Sequence, residues 1–276
     1  MTSWLKDAFF QVATHPKQIS TGPMHVPVRY FDASSLIAFF MVDYTKASAL
    51  VNVPGIEVVQ MTENKALFAL AFYEYRSLTD GAPYNEVGAC IVVQPTGMQP
   101  AKHPLMELSL PPDRRQTGMH ILHLPVTTQD ACAAGCELWG YPKFVTAINF
   151  NLNDKEFTGQ VMHPDNPQAP LLSLTGKLGM GLPAPWADLV LYSSLNDQLI
   201  RATANTRTLD GATFATAGSL KLSLDLVSGH PMAETLNRLD LDGTSPISAT
   251  YTNSLQLRLN EGVVVETEAD STEIAI

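Results

Sequence analysis

Apolar residues in this chain fall mostly into short runs. Some runs alternate with polar residues; others are unbroken and rich in β-branched and aromatic side chains. From Val28 onward SSLIAFFMV, IEVVQMT, ALFALAFYEY, VGACIVVQP and HILHLPV each predict a strand. Turn signals separate them at Pro54-Gly55, Asp80-Gly81 and Pro111-Pro112-Asp113. Ahead of them, SWLKDAFFQVA predicts a short amphipathic helix and HPKQISTGPMHVP a loop, and KASALVNV predicts a further short helix.

The period then changes. TTQDACAAGCELWG is rich in Ala and Leu and predicts a helix capped at Thr127 and stopped by Gly140 and Pro142. KFVTAINFNL predicts one strand, with Phe144, Ile148, Phe150 and Leu152 on one face and Lys143, Val145 and Ala147 on the other. FTGQVMH and LLSLTGKL predict a pair joined by PDNPQAP. ATANTRTL, LKLSLDLV, SPISATYT and LQLRLNEGVVVE predict further strands, and PMAETLNRLDL a helix. Tyr251 in SPISATYT is expected in the core. The expected fold is mainly β (α+β): one domain over 1–265, a closed antiparallel barrel or cone with a few short helices. An acidic tail, 266–276, follows.

Composition narrows the function. In 276 residues, 45% are hydrophobic and 16% charged, as in a core-rich globular chain. The net charge of −10 disfavours nucleic acid and anionic membranes as partners. Three cysteines, Cys90, Cys132 and Cys136, are too few for a disulfide framework and fit a reducing compartment. The first residues lack signal-peptide character, and the longest apolar run, LIAFFMV, is too short to span a bilayer. A cytoplasmic protein is expected.

Motifs narrow it further. Cys132 and Cys136 are one helical turn apart without a histidine or third thiol beside them, and His120 and His123 point apart on a strand. No metal site is expected. Phosphate-binding glycine loops, a dinucleotide fingerprint and a Gly-x-Ser-x-Gly elbow are all missing from the sequence, so no cofactor is expected.

What remains is Lys143, in ELWGYPKFV. An ammonium among aromatic and apolar neighbours either snorkels to water or has its protonation used. Two other charges sit in apolar strands: Glu86 in GAPYNEVG and Arg29 in VPVRYF. Taken alone, each reads more readily as a solvated or snorkelling strand residue.

Together these three segments resemble the acetoacetate decarboxylase superfamily. Glu137-Leu-Trp-Gly-Tyr141-Pro142-Lys143 is similar to the family's Schiff-base lysine motif, PYNEVGACIVV to its acid/base glutamate segment and GPMHVPVRYF to its arginine segment. The likeness runs from about residue 20 to 165. It implies Lys143, Glu86 and Arg29 as catalytic residues and a homo-oligomer acting on a small keto acid. Tyr84 and Asn85 would orient Glu86, and Tyr141 and Trp139 would exclude water. Acetoacetate decarboxylase is itself the standing example of a lysine activated by an apolar pocket or a neighbouring cation. Two positions depart from the family: Phe144 stands where its decarboxylases carry a second lysine, and an apolar residue near Ala69 replaces a second glutamate. The expected reaction is decarboxylation of a β-keto acid through a Lys143 iminium. The alternatives are an aldolase-dehydratase using a pyruvate-type enamine, and a non-catalytic barrel binding an apolar carboxylate.

Overall fold

The computed structural model describes residues 4–99, 101–153, 155–184, 186–214 and 219–265; the predicted tail, 266–276, lies outside them. In chain order the strands are β1 (His15–Ile19), β2 (Gly22–Val26), β3 (Val28–Asp43), β4 (Ile56–Val58), β5 (Lys65–Leu78) and β6 (Tyr84–Pro95). Next come β7 (Gly118–Val126), β8 (Lys143–Val145), β9 (Ile148–Asn153), β10 (Glu156–His163), β11 (Asn166–Lys177) and β12 (Gly181–Pro183). The last are β13 (Leu189–Leu195), β14 (Gln198–Arg207), β15 (Ala212–Phe214), β16 (Leu220–Leu224), β17 (Ser248–Leu259) and β18 (Val263–Val264). The α-helices are α1 (Tyr44–Ser48), α2 (Pro104–Glu107), α3 (Gln129–Trp139) and α4 (Pro231–Arg238).

Most strands belong to one large sheet, ordered β12-β15-β17-β3-β5-β6-β7-β13-β14-β18, with β4 added on β6 and β8 on β7. The pairing of β14 with β17 links strands from the two ends of this order. A separate sheet has the order β16-β11-β10-β9, and β1 and β2 form a hairpin of their own. The fold is therefore mainly β with few helices, as the hydrophobic pattern indicates. The expectation of one purely antiparallel barrel is corrected. The large sheet is mixed, because β8 and β13 both run parallel to β7, and four strands stand apart in the second sheet.

The unbroken apolar runs have a direct cause. Strands β3, β5 and β6 are buried on both faces, so neither face needs polar residues. On one face Phe40, Phe68, Phe72 and Ile91 join a core shared with the second sheet and α4; Phe72 meets Phe157 edge-on at 5.5 Å. On the other face Ala69, Ala71, Tyr73 and Cys90 join a core shared with α3. This second core holds the candidate site.

Several local expectations change. The N-terminal segment forms two 3-10 turns, Trp4–Lys6 and Ala8–Phe10, in place of one helix. The predicted loop around 15–27 is the β1–β2 hairpin. The predicted strand 143–152 breaks at Thr146-Ala147, because β8 and β9 join different sheets. Ala147 is consequently exposed and does not share the face of Lys143. SPISATYT and LQLRL fuse into β17, whose register shifts absorb the polar residues between them. Tyr251 packs against the core shared with the second sheet.

Candidate active site

Lys143 is positioned by a short chain of local causes. Helix α3 starts at an N-cap one residue later than predicted: Thr128 Oγ1 accepts the Ala131 N–H at 3.3 Å. Thr127 instead accepts the Asn85 N–H at 2.9 Å. The helix ends at Gly140, whose φ of 64° is the left-handed conformation glycine adopts freely. A side chain there would also strike the Ser194 carbonyl. The Tyr141 N–H then donates to Gly135 O at 3.0 Å, and Pro142 feeds the chain into β8. Parallel pairing of Lys143 with Leu124 fixes its direction. Lys143 points into the α3 core, and Phe144 packs in the opposite core beside His230.

Lys143 Nζ donates to Glu86 Oε2 at 2.7 Å, and the two side chains are only 7% and 11% exposed. Glu86 also accepts from the Tyr75 hydroxyl at 3.4 Å. Around the pair stand Tyr30, Tyr73, Tyr75, Tyr84 and Tyr141, all buried. The hydroxyls of Tyr30 and Tyr84 bond each other at 3.0 Å, and Nζ lies 5.9 Å from the Tyr84 ring centre. Burial, and then the charge of Glu86, push the hydroxyls of Tyr30 and Tyr141 up, so both stay protonated donors. The Tyr141 hydroxyl is buried without a partner. The Cys90 thiol is pushed up to about 12, by burial first and by Glu86 second.

Two cavities meet at Lys143. An outer cleft of about 120 Å³ is bounded by the β1–β2 hairpin, by Asp80 and Tyr84, and by Asp130, Ala131, Ala134 and Gly135 of α3. An inner chamber of about 80 Å³ lies on the Glu86 side and is walled mainly by buried apolar residues. Lys143, Tyr30, Tyr141 and Leu259 line both. Glu137 anchors the hairpin by accepting the Ser20 N–H at 2.9 Å and bonding its hydroxyl.

Five of the seven residues singled out in the sequence come together. Lys143 and Glu86 pair; Tyr84 and Tyr141 flank them; Trp139 lines the outer cleft, stacks on Tyr141 at 6.0 Å and donates from Nε1 to Asn260 O. The other two lie elsewhere. Arg29 follows Val28 and precedes Tyr30, both of which line the cleft, so strand alternation sends its side chain to the other face. Its Nε bonds Thr79 Oγ1 there at 3.2 Å. Asn85 alternates with Glu86 in the same way, and its amide donates to Ile148 O, tying β6 to β9. Among the described residues Lys143 is the one Lys or Arg lining either cavity.

Sequence reading missed Tyr30, Tyr75, Asp80, Asp130 and Gly135. Gly135 carried a signal: a glycine inside a helical pattern often marks a close approach. No group of His, Cys, Asp and Glu able to hold a metal occurs among the described residues. Nor is any helix among them long and apolar enough to cross a membrane.

Comparison with protein families places residues 13–238 in the acetoacetate decarboxylase family model. The chain belongs to the acetoacetate decarboxylase family. Among solved structures, the acetoacetate decarboxylase of Legionella pneumophila superposes with a TM-score of 0.65 over 96% of both chains at 17% identity. The enduracididine biosynthesis enzyme MppR, complexed with pyruvate, gives 0.60 over 95% of this chain and 94% of its own, at 11% identity. An acetoacetate decarboxylase-like enzyme from Sphingomonas wittichii RW1 also gives 0.60, over 94% of this chain and 97% of its own, at 13% identity. These likenesses establish the fold. No match was found among curated proteins.

Proposed function

We propose that the protein is a Schiff-base-forming lyase that decarboxylates a β-keto acid through an iminium on Lys143. The observation that carries this reading is the buried Lys143–Glu86 pair at the junction of two cavities. An amine held there by a single carboxylate has a base within reach and little water around it.

In the first step the Lys143 ammonium passes a proton to Glu86, and the freed Nζ adds to the ketone carbon. A proton passes from Nζ to the former carbonyl oxygen, and Glu86 then returns its own proton to that hydroxyl, which leaves as water, giving the iminium. The bond from the α carbon to the carboxylate breaks. Its electron pair moves toward the iminium nitrogen, giving CO2 and an enamine. A proton delivered to the α carbon through Glu86 restores the iminium, and water releases the ketone product. The iminium nitrogen is itself the electron sink, so no further cofactor is invoked.

An arginine in the site would clamp a substrate carboxylate, but Arg29 lies on the other face of β3. A substrate carboxylate at Lys143 meets no second cation, and Asp80 and Asp130 line the outer cleft. Loss of CO2 removes that uncompensated charge as the reaction proceeds, so the penalty falls between ground and transition state. A pyruvate-type donor keeps its carboxylate throughout and gains no such relief. The aldolase-dehydratase reading, suggested by the likeness to MppR, is therefore placed second.

Borohydride trapping tests the proposal. Acetoacetate should yield CO2 and, on reduction, an acetone-derived adduct on the wild type that Lys143→Ala does not form. A pyruvate adduct without CO2 release from acetoacetate would favour the aldolase. Absence of any adduct on folded protein would move the reading to a binding barrel.

A further inference from the structure

The mechanism uses Lys143 and Glu86, which line the inner chamber, and gives no task to the chamber's apolar residues. This chamber has a clear division. Glu86, Lys143 and the Tyr75 hydroxyl are bonded together in its lining, and Ile121, Leu124, Leu191, Ala204, Leu255 and Leu257 supply apolar wall. Ile121, Leu124, Ala204, Leu255 and Leu257 are all at most 5% exposed. At about 80 Å³ it has room for roughly five water-sized groups. An apolar group seated against that wall leaves water for a hydrocarbon surface, which favours binding. Trp186 and Leu189 line both this chamber and a separate cavity of about 170 Å³, so they stand as a wall between the two.

We propose that the inner chamber is a tail site, and that the protein's substrate is a β-keto acid whose ketone carries an apolar chain longer than a methyl group. This rests on the Schiff-base reading above. With the ketone carbon bonded to Nζ, its two substituents diverge. The carboxylate-bearing arm lies toward the outer cleft and its water. The apolar arm passes the Glu86 side into the chamber, where burial of each methylene favours binding. The product is a longer-chain methyl ketone. Acetoacetate fits the reactive centre and leaves the chamber unfilled, so it is a poor member of the substrate class.

The test separates this inference from the reading under it. The full-length protein is titrated with acetone, 2-butanone, 2-pentanone and 2-hexanone, each followed by borohydride reduction and mass measurement of Lys143 labelling. The half-saturating concentration is expected to fall about fourfold per added methylene until the chamber is full. Ala204→Leu, which fills the chamber, is expected to weaken labelling by 2-hexanone at least tenfold more than labelling by acetone. Should Ala204→Leu not fold, Trp186→Ala provides the second arm, shifting the preferred ketone to a longer chain by opening the dividing wall. Equal labelling by acetone and 2-hexanone would overturn the tail site and leave the Schiff-base reading standing. Gains with chain length that the chamber variant does not alter would equally overturn it. No labelling of Lys143 by any ketone would overturn both.

Discussion

A methyl group added to Gly135 would stand 2.3 Å from Cε of Lys143 and 2.5 Å from its Cδ. The lysine stem thus lies directly on the backbone of α3, and helix and amine form one rigid unit. Alanine inside a helix is normally favoured over glycine by about 1 kcal/mol. Here the crowding opposes that gain, since overpacking costs about 1–3 kcal/mol. Gly135→Ala is expected to keep native circular dichroism and a stability within about 2 kcal/mol of wild type. Because it displaces Nζ from Glu86, turnover should fall roughly 100-fold. Unchanged turnover would mean that the helix does not set the position of the amine.

The Lys143–Glu86 pair predicts a contrast between chemistry and stability. Glu86→Gln keeps the side chain's shape and removes the proton acceptor, so kcat should fall about 10²- to 10⁴-fold. Lys143→Met leaves Glu86 buried without its cation and should cost about 3–5 kcal/mol in urea denaturation. Lys143→Met combined with Glu86→Leu should recover most of that loss, because no buried charge remains. A double variant as unstable as the single would show that the pair's surroundings tolerate the lone carboxylate.

Tyr141 separates the same two quantities in the opposite direction. Its buried hydroxyl has no partner in the free protein, so Tyr141→Phe should raise stability by about 1 kcal/mol. Burial and the charge of Glu86 keep the hydroxyl protonated, ready to donate to the substrate oxygen. Turnover should therefore drop about tenfold, the effect of one lost hydrogen bond of about 1.4 kcal/mol. A variant more stable and fully active would remove Tyr141 from the substrate's contacts.

Acid sensitivity is predicted at a residue that the mechanism does not use. His123 Nε2 bonds Thr235 Oγ1 at 2.9 Å, and burial, then neighbouring His230, hold its titration down from 6.5 to about 4. Below pH 6.5 the unfolded chain takes up a proton that the folded one refuses. Stability is fully present above that pH and declines as pH falls toward 4, by up to about 3 kcal/mol. Denaturation midpoints measured from pH 7 to 4 should fall less steeply for His123→Gln than for wild type. Parallel curves would show that His123 is charged in the folded protein.

Particular residues show how far the sequence could be read. The runs 66–75 and 87–95 predicted strands because an unbroken apolar block has few other fates, and both strands formed. Lys143 and Glu86 were legible because a charge inside an apolar strand is costly without a partner. That each is the other's partner was not legible, since 57 residues separate them and only the pairing of β6 with β7 and of β7 with β8 joins their strands.

Arg29 marks the limit most clearly. The sequence places it in a strand beside Tyr30, and nothing local says which of Val28 and Arg29 looks inward. Strand side chains alternate, so pairing register decides the face, and a shift of one residue would exchange them. The register of β3 against β17 sets Arg29 opposite Arg258 on the outer side and leaves Val28 and Tyr30 in the cleft. By itself the sequence determined the strand content, the helix before the lysine and the presence of an amine and a carboxylate in dry surroundings. Tertiary structure alone decided which charges meet, which tyrosines ring them and that a glycine of α3 receives the lysine stem. Periodicity is a local property of the chain, whereas contact across strands depends on pairings that close over long loops.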